Sequence, residues 1–545
     1  EKLSAVEHIK TKSDGLRGTL KDSIDLDNHT GNVSPDDETL VKFHGMYVQD
    51  DRDRRAERAA KKLDKLYSFM IRLRIPGGVI SAEQWIATHE ISEQFGTGTL
   101  KITTRQTVQL HGLLKHQLRP TIQAFNTAKL DSIAACGDVN RNVIVSSHPQ
   151  ISAIHQQIYE YADKISTLLL PKTQSYYEVF IDGEKIYERS SEADPLYEDR
   201  YLPRKFKIAI AIPPSNDVDV FTNDIGLIAI IENDVLKGFN IAIGGGLATT
   251  HGNPNTYSRL GSIIGFTDTE EKTLKAVYEI LTVQRDFGNR VDRKLSRLKY
   301  TVDKLTVEGF KKELESRIGF EFEPGRKYTF TERSDRFGWE QNHQGKWFYT
   351  LFIEHGVVKP EQKQFLYELA QQDISNFIFS GNQNLILGEI EDSNKAKVEA
   401  LLQQHNIEKS VSALRKNSMA CVALPTCPLA LAEAQRYLPE LVTKIEPILA
   451  KYELSNDEIS IRMTGCPNGC GRPYVSELGF VGTGPEQYNF MLGGDRFGER
   501  LNRIYKEKQS KTQILEEVDV LLGRYVKEKL ENETFGDFAF RTILN

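Results

Sequence analysis

The 545-residue chain repeats itself. Gly78-Val79-Ile80-Ser81-Ala82-Glu83-Gln84 returns as Gly356-Val357-Val358-Lys359-Pro360-Glu361-Gln362, with four of seven positions identical. Gln106 lies 22 residues beyond Gln84, and Gln383 lies 21 beyond Gln362. Asn140 and Asn417 then follow 34 residues after each of those glutamines. Spacing held this long is stronger evidence of duplication than the identities themselves. Further on, K-F-K-I-A-I-A-I with F-N-I-A-I-G-G-G parallels E-I-S-I-R-M-T-G with Y-N-F-M-L-G-G-D, which sets Asn240-x3-Gly244-Gly245 against Asn489-x3-Gly493-Gly494. The chain is therefore read as two related halves, and the pseudo-twofold interface between them is the natural place for a large cofactor.

Each copy reads strand, helix, strand, helix. Alternating I-R-L-R-I and K-I-T-T-R-Q-T-V-Q-L flank the helical E-Q-W-I-A-T-H-E-I-S-E-Q-F, an α+β pattern of helices on a sheet. Residues 1 to about 40 are polar and read as an irregular arm. The charges of 43–58 either cover a solvated helix or belong to a functional lead-in.

The halves differ in what they carry. The second holds Cys421-x5-Cys427 and Cys466-x3-Cys470, set among Pro425, Pro428, Pro467, Gly465, Gly469 and Gly471. Four thiolates from two segments are the ligand count of a cubane iron-sulfur cluster. Structural zinc prefers shorter C-x2-C knuckles. Disulfides fit poorly with five cysteines in so long a chain, with no secretory leader evident and a core large enough to need no staples. Where the second half has Cys421 and Cys427 the first offers Arg141, and opposite the C-P-N-G-C loop it offers Leu202-Pro203-Arg204-Lys205-Phe206-Lys207. One copy thus supplies soft sulfur and the other cations.

The pair C-x5-C and T-G-C-P-N-G-C resembles the signature of the siroheme sulfite and nitrite reductases, and F-H-G-x-Y-x-Q-D-D-R-D (43–53) resembles the lead-in of their assimilatory sulfite-reducing branch. The resemblance implies a 4Fe-4S cluster on Cys421, Cys427, Cys466 and Cys470, with Cys470 shared as axial ligand of the siroheme iron. It also implies an α+β fold of duplicated ferredoxin-like halves, arranged as three domains around a central siroheme-cluster site. The boundaries read as 1–71 for an N-terminal wrapping segment, 72–133 plus 335–408 for the paired ferredoxin-like repeats, 134–334 for the cationic domain and 409–545 for the cluster domain.

Siroheme carries eight carboxylates and sulfite is a small dianion, so both call for Arg where two parallel bonds grip a carboxylate and Lys where a proton is surrendered. By resemblance Arg74, Arg141, Lys205 and Lys207 surround bound sulfite. On a strand, 205 and 207 share a face, and their mutual repulsion lowers the pKa of at least one. Arg105, Gln109 and His111 in T-T-R-Q-T-V-Q-L-H, Asn289 and Arg293 in Q-R-D-F-G-N-R-V-D-R, and Asn468 between the last two cysteines are carried over as siroheme contacts. Lys101 departs from the family pattern, which has Arg there. Cys136 reads as a small core residue.

A net charge of −6, from 76 acids against 70 bases, argues against nucleic acid as the main partner. No apolar run approaches a membrane span, and free cysteines suggest the cytoplasm. Gly244-Gly245-Gly246 opens no dinucleotide or Walker motif and reads as close packing against a cofactor. The chain therefore does not take hydride from NADPH itself. The resemblance implies a separate flavoprotein with FAD and FMN as donor, or alternatively ferredoxin. The implied reaction is six-electron reduction of sulfite to sulfide in cysteine biosynthesis; the rivals are siroheme nitrite reduction and a zinc-stabilised binding protein.

Overall fold

The computed structural model describes residues 2–26, 29–147, 152–181 and 193–545. Four sheets organise them. The first is built from β1 (Met46–Asp50), β2 (Tyr67–Arg72), β4 (Leu100–Ile102) and β5 (Val108–Leu113) in the order β1-β2-β5-β4, while β3 (Val79–Ile80) leaves it. A second sheet holds β6 (Ile144–Val145), β7 (Ile208–Ala211), β8 (Ile225–Glu232), β9 (Val235–Ile243) and β10 (Ser262–Thr267). A third joins β11 (Gly338–Gln341), β12 (Trp347–Leu351), β13 (Asn376–Phe379) and β14 (Leu385–Ile390) to β3, and a fourth holds β15 (Ser418–Ala420), β16 (Ile461–Thr464), β17 (Leu478–Gly484), β18 (Gln487–Leu492) and β19 (Arg503–Gln509).

The duplication is explicit in this topology. In the second sheet β6, β7 and β8 run parallel and β9 and β10 turn back antiparallel; β15 to β19 do the same. The repeated Glu-Gln motif opens a helix in each copy: the Gln84 side chain accepts from the Ser81 N–H at 3.0 Å, and Gln362 accepts from the Lys359 N–H at 3.1 Å, satisfying amides that a helix start leaves open. The later glutamines, Gln106 and Gln383, sit at φ +53° and +69° in tight turns. Gln106 clamps the backbone of Val145 in β6, and Gln383 clamps Ala420 in β15. Each ferredoxin-like unit is thereby tied to the sheet of its own half. The units also exchange strands, since Ile80 of β3 pairs with Phe377 and Lys101 bridges Val357.

Four expectations change. K-I-T-T-R-Q-T-V-Q-L is a hairpin of β4 and β5 rather than one strand, because the turn at Gln106 folds it back. The spatial mate of Asn417 is Asn142, not Asn140: Ile144 pairs with Ala209 and Met419 with Arg462, so the halves slip by two residues between the glutamine and β6 or β15. The mate of Arg141 is then Lys416 and not a cysteine, and the C-P-N-G-C loop after β16 matches residues 213–217 after β7 rather than Leu202-Pro203-Arg204-Lys205-Phe206-Lys207, which precedes β7. The first forty residues are no irregular arm. They form helices Ala5–Lys12, Leu20–Asp25 and Asp37–Leu40, with Leu16, Leu20 and Leu40 buried; residues 1, 27 and 28 of that stretch lie outside the described residues. Residues 43–58 are not one solvated helix either, since Met46–Asp50 is a strand against β2.

A large apolar core joins the ferredoxin-like sheets to the second sheet, and Leu441, Ile445, Phe480, Phe490, Val518 and Leu522 anchor a separate core under the fourth. Among the described residues no helix is long and apolar enough to cross a membrane.

Candidate functional site

The four late cysteines leave the ends of two neighbouring parallel strands. Cys421 follows β15 and its N–H donates to Met463 O of β16 at 3.3 Å; Cys466 and Cys470 follow β16. Backbone amides turn toward the sulfurs: Cys421 Sγ accepts from Gly465 N at 3.3 Å and from Thr464 Oγ1 at 3.4 Å. The amides of Leu429 and Ala430 face Cys427, and that of Asn468 faces Cys466. Gly465 has no room for a side chain, since a Cβ would lie 2.6 Å from Ala423 Cβ and from Ala432 O.

Burial, then the neighbouring Cys470, pushes the Cys421 thiol up to about 11 and Cys466 to about 12. Cys427 is also raised, by burial first. Thiols that disfavour one another's ionisation share one electrostatic site, and only a bound cationic centre stabilises them together as thiolates. Among the described residues no three His, Cys, Asp or Glu side chains converge closely enough to hold a single metal ion. The N-terminal segment straps this loop: Arg52 N–H donates to Pro425 O at 3.2 Å, and its guanidinium to the carbonyls of Cys427 and Ala430.

Cys470 is exposed and lines a cavity with Thr104, Arg105, Lys207, Asn223, Arg297, Asn468 and Arg472. The N-terminal edge of the first half's sheet here faces the loop after β16 of the second. Lys205 and Lys207 flank the buried Phe206 just before β7, and the Lys207 N–H is fixed by Asp224 Oδ2 at 2.8 Å. Neither ammonium has a hydrogen-bond partner among the described residues. Burial, reinforced by Arg297, Arg204 and Arg141 and opposed by Cys470, brings Lys205 down to about 7. Lys207 lies well below its ordinary value through burial, Lys205 and Arg297. Arg105 donates to Asn142 O, Asn223 Oδ1 and Ile208 O at 2.6 to 2.8 Å, all neutral acceptors, and burial lowers it to about 9. Arg141 is buried, donates to Gly137 O at 2.7 Å and faces the Tyr47 hydroxyl.

Arg74 is not in this group. Asp131 holds its Nε and Nη2 at 2.9 and 2.6 Å, and Ser166 its Nη1 at 3.1 Å. The chain has left the sheet by then, since the Arg74 N–H bonds Asp131 O rather than β5. Arg72, the last residue of β2, takes the place expected of it: its Nη1 donates to Cys136 Sγ at 3.2 Å, its guanidinium lies over the Tyr47 ring at 5.9 Å, and it pairs across the strands with Gln109. With the Gln109 amide turned to suit both neighbours, its oxygen accepts from Arg72 at 2.6 and 3.0 Å and its nitrogen donates to His111 Nε2 at 3.2 Å. His111 Nδ1 then donates to Gln49 Oε1 at 3.1 Å. Burial, with Lys101 and Arg72 nearby, depresses His111 to about 3, so its ring is neutral.

Asn289 shapes its own turn, its Oδ1 accepting from Val291 and Asp292 N–H at 2.9 Å. Arg293 is forked on Asp138 at 2.8 and 2.9 Å. Lys101 is buried, donates to the His355 carbonyl and falls to about 7 through burial. Arg297, Arg204 and Lys42 join the basic group without having been singled out. Arg297 stood in the same basic run as Arg293, whereas Lys42 and Arg204 gave no sequence signal beyond their charge. Lys205 and Lys207, without hydrogen-bond partners among the described residues, and the arginines around them fit a polyanionic tetrapyrrole beside Cys470, although Arg297 is paired with Asp224, and the thiol set fits an iron-sulfur cluster.

A family model described as "Nitrite and sulphite reductase 4Fe-4S domain" matches residues 160–322, and one described as "Nitrite/Sulfite reductase ferredoxin-like half domain" matches 61–128 and 340–405. Over 99% of this chain and 98% of its relative, the sequence is 57% identical to "Sulfite reductase [NADPH] hemoprotein beta-component" of Leptospira biflexa. The chain belongs to the nitrite and sulfite reductase family. A family member of the same description from Staphylococcus haemolyticus is 49% identical over 99% of this chain and 95% of its own. The fold is also that of "Mycobacterium tuberculosis NirA protein", at TM-score 0.82 and 22% identity, covering 99% of this chain and 97% of that one. The family carries siroheme and a 4Fe-4S cluster. The ranges matched by the two family models do not include the four cysteines, so their ligand role rests on the geometry and chemistry above.

Proposed function

We propose that this chain reduces sulfite to sulfide, SO3²⁻ + 6e⁻ + 7H⁺ giving HS⁻ + 3H2O, as the haemoprotein partner of an NADPH-oxidising flavoprotein. The observation that carries the reading is the pair Lys205 and Lys207, two half-buried ammonium groups without hydrogen-bond partners among the described residues: Lys207 lines the cavity that Cys470 lines, and Lys205 lies close enough to Cys470 to interact with its charge. Cys421, Cys427, Cys466 and Cys470 would hold the cluster, with Cys470 at the face toward siroheme, and Arg105, Arg293, Arg297, Gln109, His111 and Asn468 would receive the tetrapyrrole. When bound, these cofactors would supply single electrons and a Lewis-acidic iron.

The chain's own residues do the remainder. Arg72, Arg141, Lys205 and Lys207 offset the charge of an oxyanion that has lost its water, which a low-dielectric cavity makes far stronger than in solvent. Lysines lowered toward neutrality give up protons readily, and each departing oxygen leaves as water only when protonated. Tyr47 and Gln109 hold Arg141 and Arg72 in place. No dinucleotide-binding turn opens a helix, which favours an external electron donor; the names of the relatives point to an NADPH-linked one, with ferredoxin as the other candidate. Five free cysteines suit a reducing cytoplasm and a role in cysteine biosynthesis. Steady-state kcat/KM of the holoenzyme with a reduced dye tests the substrate. Sulfite should exceed nitrite; the reverse order makes the chain a nitrite reductase.

A further inference from the structure

A second cavity, of about 460 Å³, lies away from Cys470, and the duplication explains its position. Asn382, Lys416, Ser460 and Glu477 line it. These are the spatial mates of Arg105, Arg141, Lys207 and Asp224. The correspondence is shown by a shared bond: Lys207 N–H donates to Asp224 Oδ2 at 2.8 Å, and Ser460 N–H to Glu477 Oε2 at 2.9 Å. The loop after β7, mate of the cysteine loop after β16, contains no thiol, and the segment 331–337 crosses the cavity wall. It is therefore no second cofactor site.

Its charge calls for an anion all the same. Asp219, wholly buried, is the carboxylate that pairs with Arg333, Arg462 and Arg472 together, at 2.7, 2.6 and 2.7 Å, with Asp217 also near Arg472. Each of the three guanidiniums is itself more than nine-tenths buried. Arg333 Nη2 and, across the cavity, Arg496 Nε are buried donors with no acceptor. Among the described residues the Lys416 ammonium meets the Phe337 ring at 5.6 Å and no carboxylate. The acids of the wall have hydrogen-bond partners elsewhere: Glu332 in Arg336, Asp335 in Ser380 and Asn384, and Glu477 in Ser460 and the Gly536 N–H, although the Glu477 carboxyl also feels the charges of Arg496 and Arg333. Glu458 is exposed at the rim. A buried guanidinium donor left unmade is costly, and forked N–H groups suit tetrahedral oxyanions.

We infer that this second cavity binds a small inorganic oxyanion of the sulfate or phosphate class, held by Arg333, Lys416 and Arg496. The inference stands apart from the reaction proposed above. Holoenzyme crystals grown without sulfate or phosphate and soaked in selenate should show a selenium anomalous peak within hydrogen-bond reach of Arg333 and Arg496. The peak should vanish in the Lys416→Met, Arg496→Met double variant, while sulfite turnover stays within twofold of wild type. In solution, inorganic sulfate should raise the melting temperature of wild-type holoenzyme and not that of the double variant, with phosphate distinguishing the two anions by the midpoint of its shift. No peak in the cavity, or an equal thermal shift in both proteins, overturns the inference.

Discussion

Asp131 grips Arg74 with both carboxylate oxygens, at 2.6 and 2.9 Å, and so removes from the oxyanion site the arginine that its sequence context recommends. Arg72, two residues earlier, faces Tyr47, Cys136 and Gln109 instead. Replacement should separate the two. Arg72→Ala should keep the fold and lower kcat/KM for sulfite about 10- to 100-fold, the worth of one charge-assisted contact. Arg74→Ala should leave kcat/KM nearly unchanged and lower unfolding stability by about 1–3 kcal/mol, since its ion pair is only partly shielded from water. Equal kinetic losses in both variants would contradict the assignment.

Lys207→Met should retain siroheme and cluster spectra, yet reduce sulfite kcat at least about tenfold, because one ammonium next to the oxyanion is lost. The backbone bond to Asp224 is untouched by the change, so a collapsed protein is not the expected result. Full activity would remove Lys207 from the reaction.

Cys466→Ser should abolish the cluster, measured as iron and acid-labile sulfide per chain. A hydroxyl is a far poorer ligand than a thiolate, and the remaining thiols are disfavoured as anions by burial and by one another. A normal sulfide count in this variant would disprove the ligand set.

His44 provides a pH signature of stability rather than activity. Buried, its ring nitrogen bonded to Leu16 O at 3.0 Å, it is depressed from 6.5 to about 4 by burial. Between those two values an unfolded chain takes up a proton that the folded one refuses, so stability falls as pH drops through this window and the loss is complete below about pH 4. The full effect is about 3 kcal/mol. Denaturant titrations from pH 7 to 4 should show this slope, and His44→Gln should flatten it by one proton even if it lowers stability at pH 7. An unchanged slope would show that His44 titrates normally in the fold.

The duplication, the four thiols and the basic runs of the first half, such as Arg204-Lys205-Phe206-Lys207, were all legible along the chain, since each is a matter of residue type and spacing. Glycines and prolines around the cysteines announced tight turns, and Gly465 has no space for any side chain. Spacing misled only where a loop absorbed a difference. Asn140 and Asn417 stand equally far from their glutamines, yet strand register makes Asn142 the true mate.

What the sequence determined by itself was therefore the inventory: two related halves, sulfur in one, positive charge in the other. Tertiary structure decided which charges act. Arg74 is taken out of the site by Asp131, Arg293 keeps its place there but is already forked on Asp138, and Lys10 is buried in the N-terminal segment against Glu7 and Asp138. Lys205 and Lys207 alone of the predicted cations keep no partner among the described residues. The reason is physical. A strand's alternation tells which way a side chain points only while the strand lasts, and whether a buried charge is offset depends on a carboxylate that the fold brings in from far along the chain.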